Sequence, residues 1–124
     1  PVAFAIADET GIEGDILPLR YPYLAQDGPL AVEPEPGSYA DRERQTTANE
    51  TRQWSWGLGD IVNALLGAGL QLQWLREHAE GFYPMIPEMQ QGQDGHYRLP
   101  APLHGRFPLT FSIMAYKPLG GEPQ

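Results

Sequence analysis

From Leu58 to Leu66 the apolar positions are Leu58, Ile61, Val62, Leu65 and Leu66, falling at i, i+3, i+4, i+7 and i+8. That period places them in one stripe and predicts an amphipathic α-helix over 58–66. Ser55 or Gly57 can cap its start, and Asp60 lies in the first turn, where the helix dipole favours a carboxylate. Gly67 and Gly69 supply the stop, because glycine accepts the left-handed conformation in which helices end. Directly afterwards Leu70, Leu72 and Trp74 alternate with Gln71, Gln73 and Leu75, the period of a strand. A second alternation fills 109–116, with Leu109, Phe111, Ile113 and Ala115 on one face and Thr110, Ser112, Met114 and Tyr116 on the other. Met114 and Tyr116 predict cover on both faces near the end of this strand, as in a sheet with helices on each side.

The rest of the chain is less regular. The apolar run Val2–Ala7 reads either as a helix opened by Pro1 or as a strand. Residues 8–15 are an acidic turn region, and 16–24 read as extended, since Pro18 and Pro22 exclude a helix interior and a central strand. Residues 25–50 form a long surface excursion or an edge hairpin, rich in proline and charge. Residues 79–106 are a second irregular stretch, in which Asp94-Gly95 marks a turn. The end from Lys117 reads as a linker. The pattern is α/β with about one good helix and a few strands. One helix cannot cover both faces of a sheet, so part of the domain is expected to lie outside this chain. The apolar start at Pro1-Val2-Ala3-Phe4 points the same way, because free termini ordinarily fray in water.

Composition narrows the function classes. The 124 residues fit one domain, and 41% hydrophobic content is enough for a core. Sixteen acidic residues against eight basic ones give a net charge of -8. Arg42 and Arg44 are interleaved with Asp41 and Glu43. Such a chain does not grip a nucleic-acid backbone or an anionic membrane, both of which need clustered Lys and Arg. The absence of cysteine excludes disulfides, thiolate metal sites and a Cys nucleophile. No apolar run is long enough to span a bilayer and no signal peptide is visible, so a cytoplasmic location is expected.

Candidate chemistry is sparse. His78, His96 and His104 lie in or beside loops without metal-ligand spacing, and their plain reading is structural or solvated. No serine sits in a GxSxG elbow, and Gly11/Gly14 and Gly57/Gly59 are not phosphate loops. Glu33 and Glu35 are a proline-spaced, solvated pair. No catalytic residue and no metal site is therefore predicted. The aromatics are more informative. Tyr21, Tyr23, Tyr39, Trp54, Trp56, Phe82 and Tyr83 fall in irregular segments or at their edges. Core packing is the ordinary use of such side chains. Trp54 is expected to staple the incoming chain against the first helical turns, and Trp74 to pack within its strand. Trp56, just before the helix, can as readily face a cleft.

The order of these pieces resembles a known family. QWSWGLGDIVNALLGAGLQLQWLREH is similar to a C-terminal segment of class I S-adenosylmethionine (SAM)-dependent methyltransferases of the type-11-like, small-molecule group. That group shows a Trp, a short spacer with a His, then Leu-Gly-Glu-Ile-Val-x-Ala-Leu-x-x-Ala-Gly-Leu and a strand ending near Glu-His. Trp54, Leu58, Gly59, Ile61, Val62, Ala64, Leu65, Ala68, Gly69, Leu70, Leu75 and Glu77 stand in matching places. PGSYAD at 36–41, Pro87-Glu88-Met89, RLP at 98–100 and PLTFSIMAYKP at 108–118 follow in the family's order.

The resemblance implies a partial Rossmann-like methyltransferase sheet. Residues 57–118 would hold its last helix and final two strands, the last strand antiparallel, and 15–56 a substrate-side insertion. It implies SAM as cofactor and a small molecule as substrate, with Tyr21, Tyr23, Trp54 and Trp56 as apolar walls of a substrate site. Nothing here matches the glycine-rich turn that cradles SAM or the acidic residue on its ribose. The chain therefore reads as the C-terminal part of such an enzyme, with the N-terminal SAM-binding half absent and no SAM binding expected from these residues alone. Trp56 stands where relatives carry His, so no acid–base role carries over to it. Gly57 and Asp60 replace a common Ser and Glu, which weakens the capping box. Two rival readings are a non-catalytic module with an aromatic-lined pocket and an oligomerisation fragment whose open strand edges pair with another copy.

Overall fold

The computed structural model describes residues 11–12, 14, 16–31 and 51–120. Its elements in chain order are β1 (Leu30–Ala31), β2 (Arg52–Gln53), α1 (Leu58–Gly67), β3 (Gln71–His78), β4 (Glu80–Gly81), β5 (Gln90–Gln91), β6 (Tyr97–Arg98) and β7 (Thr110–Tyr116). This is a mixed α/β arrangement, with one helix among the described residues. Among the described residues every strand pairing is antiparallel, in three separate sheets ordered β1-β2, β3-β7 and β4-β6-β5. The expected surface excursion is closed at its base by Leu30 opposite Gln53 and Ala31 opposite Arg52. Glu33, Glu35, Tyr39, Arg42, Arg44 and the 36–41 motif lie outside the described residues, as does the run Val2–Ala7.

The helix forms where its stripe predicts it, one residue longer. Gly57 has no side chain to cap the start, and a distant tyrosine takes over. The Leu58 N–H donates to the Tyr23 hydroxyl at 3.0 Å, while the Gly57 N–H donates to Asp60 Oδ2 at 3.2 Å. The other end closes as a Schellman motif. Gly69, at φ 78°, donates its N–H to the Leu66 carbonyl at 2.9 Å, and the Leu70 N–H reaches the Leu65 carbonyl at 3.1 Å. No residue of α1 is fully buried. Leu58, Ile61, Val62 and Leu65 are partly buried and Leu66 is 49% exposed, so the apolar stripe is covered along most of its length and open at its Leu66 end.

β3 runs longer than its apolar alternation, because Arg76, Glu77 and His78 continue the ladder opposite Ser112, Phe111 and Thr110. A register shift between Leu72 and Trp74 reverses the phase within it. Leu72 pairs with Ala115 and Trp74 with Met114, so the two lie on opposite faces rather than the one face their spacing predicts. Leu75, opposite Ile113, returns to the face of Leu72. One inserted residue thus gathers Leu72, Leu75, Phe111, Ile113 and Ala115 on one side. The predicted cover on both faces at the end of β7 is not found. Met114 and Tyr116 are each 45% exposed, since one helix is all the described chain has to lay on the ribbon.

Apart from Leu109, which opens the predicted strand, the buried core sits where the pattern gave no regular element. Met85, Ile86, Met89, Leu99, Leu103 and Leu109 cluster, with Ile12, Leu17, Tyr83, Tyr97 and Phe107 packed around them. Ile86 and Leu109 are the largest side chains wholly out of water. The small sheet β4-β6-β5 frames this cluster, and the Asp94-Gly95 turn falls as expected, with the Gly92 N–H on the His96 carbonyl at 2.8 Å. The cluster is tied to the ribbon by the Leu109 N–H on the His78 carbonyl at 2.7 Å and by Thr110 Oγ1 on the Glu80 carbonyl at 2.8 Å. From the other side, the Ile12 N–H donates to Glu88 Oε1 at 3.0 Å.

Candidate functional site

The predicted wall residues come from two segments that lie against each other at the entrance to α1. Ser55 Oγ donates to the Pro22 carbonyl at 2.8 Å, three residues before the Leu58–Tyr23 bond. Gly57 is buried between them, so that a Cβ there would meet the Tyr23 ring at 3.6 Å and Leu24 at 3.8 Å. Tyr21, Trp54 and Trp56 remain exposed around this junction, Trp56 at 59%. Tyr23 is half-buried, with its hydroxyl committed to the helix start. Trp54 is 50% exposed and lies outside the buried core cluster. Exposed rings beside an apolar helix stripe can stack on a flat apolar ligand.

Two polar sites escaped the sequence reading. His78 Nε2 and Ser112 Oγ are 2.7 Å apart across the β3–β7 ladder. Their contact follows from register, which no local pattern in either segment discloses. Among the described residues no carboxylate is hydrogen-bonded to the other ring nitrogen, so the third member of a nucleophilic triad is missing. Arg76, opposite Ser112, lies over the Trp74 ring at 4.6 Å from its centroid. The second site is an open depression of about 310 Å³ beside the small sheet, lined among others by Gln90, Gln91, Arg98, Leu99 and His104.

Arg98 gives that depression its charge but is already engaged. It donates to Asp94 Oδ1 at 3.0 Å and to Oδ2 at 2.6 Å, and stands 3.5 Å from Glu80 Oε1. The Arg98 guanidinium, helped by the His96 N–H at 3.1 Å, holds the Asp94 carboxyl well below the usual carboxylate range. Asp94 in turn pushes the guanidinium up. The cluster locks the turn at Asp94-Gly95.

Among the described residues no group of three or more His, Asp or Glu is placed to hold a metal ion, and no helix is long and apolar enough to cross a membrane. At the glycine-containing helix entrance Gly57-Leu58-Gly59, the leading N–H groups are bonded to Asp60 and Tyr23. No known protein family, curated protein or solved structure matches the chain.

Proposed function

We propose that the chain is the C-terminal part of a SAM-dependent methyltransferase that transfers a methyl group to a nucleophilic O, N or C of a small molecule. One observation carries the reading. α1 turns through Gly69 directly into β3, and β3 pairs antiparallel with β7 over the run from Gln71–Tyr116 to His78–Thr110. That is the order and direction that the resemblance implies for the last helix and last two strands of a Rossmann-like sheet. The exposed Leu66 end of the α1 stripe is what such a piece presents when the rest of the sheet lies elsewhere. SAM would be held by residues outside these 124, and this chain would contribute Tyr21, Tyr23, Trp54 and Trp56 as substrate walls. Methyl transfer of this kind relies on orienting the partners, so a site without a catalytic base is compatible with it.

Calorimetric titration of the 124-residue chain with SAM should show no binding. Micromolar affinity would sink the assignment of the cofactor site to other residues. The coding DNA upstream of Pro1 tests the family reading itself. An in-frame strand followed by a glycine-rich turn supports it, and a start codon directly before Pro1 counts against it.

A second reading, a non-catalytic ligand-binding module, is favoured by the exposure of Trp54, Trp56 and Tyr21 around one junction. In that case flat apolar ligands would quench tryptophan fluorescence in the chain alone, and Trp56→Ala would remove the response.

A further inference from the structure

The described residues between Gly11 and Leu24 connect the buried cluster to the entrance of α1, and they are fastened at both ends. At the cluster end Ile12 and Leu17 pack against the core, and the Ile12 N–H donates to Glu88 Oε1 at 3.0 Å. Gly11 is buried at φ 65°, and a Cβ added there would run into the Glu88 carboxylate, so the backbone comes down directly on that side chain. At the helix end the Tyr23 hydroxyl accepts from the Leu58 N–H, and the Pro22 carbonyl accepts from Ser55 Oγ. Pro18 and Pro22 fix their own φ angles, which stiffens the connection. The chain from Leu17 to Tyr23 reaches about 20 Å at most, so it holds the cluster and the aromatic junction within that span of each other.

We propose that Glu88 is a positioning residue for the aromatic wall at the α1 entrance: by holding the Ile12 N–H it anchors a strap that sets Tyr21 and Tyr23 beside Trp54 and Trp56. The inference rests on the reading of those four rings as the wall of a ligand site. Tyr21 lies on the strap between its two fastenings and is 39% exposed, so the ends of the strap, more than burial, set its place. Trp54 and Trp56 flank Ser55, whose hydroxyl is bonded to the strap at Pro22. Glu88 is itself exposed and belongs to the segment that follows β3, so it acts on the wall through the strap. A helix that turns through Gly69 straight into a strand runs back alongside it. The start of α1 and the end of β3, where the Glu88 segment begins, therefore lie at the same end of the unit. In the proposed sheet this is the carboxyl end of the strand, the side on which open α/β sheets bind their ligands.

Heteronuclear NMR of the nitrogen-labelled whole chain gives one indole N–H signal per tryptophan, and Trp74, on the β3–β7 ribbon, is the internal control. Glu88→Ala removes the acceptor at an exposed position, so the circular dichroism spectrum should stay unchanged. The Trp54 and Trp56 indole signals should shift, the Trp74 signal should stay in place, and amide exchange should quicken from Ile12 to Tyr23. Glu88→Gln keeps an acceptor oxygen and should leave all of these as in the wild type. Titration with N-phenylnaphthylamine, a flat uncharged probe that quenches tryptophan, reads the wall itself. Glu88→Ala should weaken its binding by about threefold to tenfold, the loss expected from one hydrogen bond, and Glu88→Gln should not. Trp54 and Trp56 signals that ignore Glu88→Ala overturn the proposal. So do three indole signals that move together, which would mean a general loosening, or a Glu88→Gln chain that behaves like Glu88→Ala. A wild-type chain that leaves the probe unbound overturns the reading of the rings as a wall, while the indole signals still decide whether Glu88 holds the strap.

Discussion

Gly69 holds the left-handed conformation that lets α1 hand over to β3 within two residues. Any L side chain there crowds its own carbonyl, so Gly69→Ala should cost about 1 kcal/mol, read from urea unfolding. Tyr23 works at the opposite end of the helix. Tyr23→Phe keeps the ring and removes only the acceptor for the Leu58 N–H, and about 1 kcal/mol should be lost with it. The two residues differ in how far a reader of the sequence could see them. Gly69 was legible because its partners are its own neighbours. Tyr23 was not, because it caps a helix 35 residues away, and it was read as a substrate wall alone. Asp94 adds a pH signature. Its carboxyl is depressed in the folded chain by Arg98, so in acid the unfolded chain takes up the proton first. The stability it contributes is present above the ordinary carboxylate range and is lost as pH falls through its folded value. Asp94→Asn should flatten that part of the acid limb, measured as the urea midpoint against pH.

At the scale of elements, regular periods were legible and the core was not. The stripe of α1 and the alternation of β7 each repeat often enough to declare themselves. β3 declared itself but misled about its faces, because one inserted residue moves Trp74 across the sheet and a bulge leaves no composition signal. Of the core residues only Leu109 falls in a strand alternation; Met85, Ile86, Met89, Leu99 and Leu103 are spaced by prolines and turns, with neither a helical nor a strand period. Their burial is decided by long-range contacts that a window along the chain does not contain. The consequence is measurable. Ile86 is wholly buried, and Ile86→Ala should cost about 2–5 kcal/mol. Leu65→Ala, in the most regular element of the chain, should cost less, because Leu65 is only half-buried. A larger effect at Leu65 than at Ile86 would mean that the helix, not the 83–109 cluster, organises this chain.

For the whole molecule, the question is what the apolar stripe of α1 is for. Leu66 is 49% exposed although it completes a five-residue stripe whose spacing is that of a core-facing helix. Burying such a stripe is the ordinary reason a helix has one. In the chain as it stands, Leu66→Lys replaces a half-exposed leucine at the open end of the stripe, and its effect on stability should stay within about 0.5 kcal/mol. It should also lower the fluorescence of a dye that reports exposed apolar surface. If the methyltransferase reading holds, the same substitution made in a polypeptide that completes the sheet would bury a lysine, at a cost of several kcal/mol. The paired measurement separates the readings of the molecule. A binding module that is whole in 124 residues predicts the small effect in every context. A fragment of a larger domain predicts a small effect here and a large one there. A large effect in the 124-residue chain alone would show that this chain also covers the Leu66 end of the stripe in solution, and the fragment reading would have to be given up.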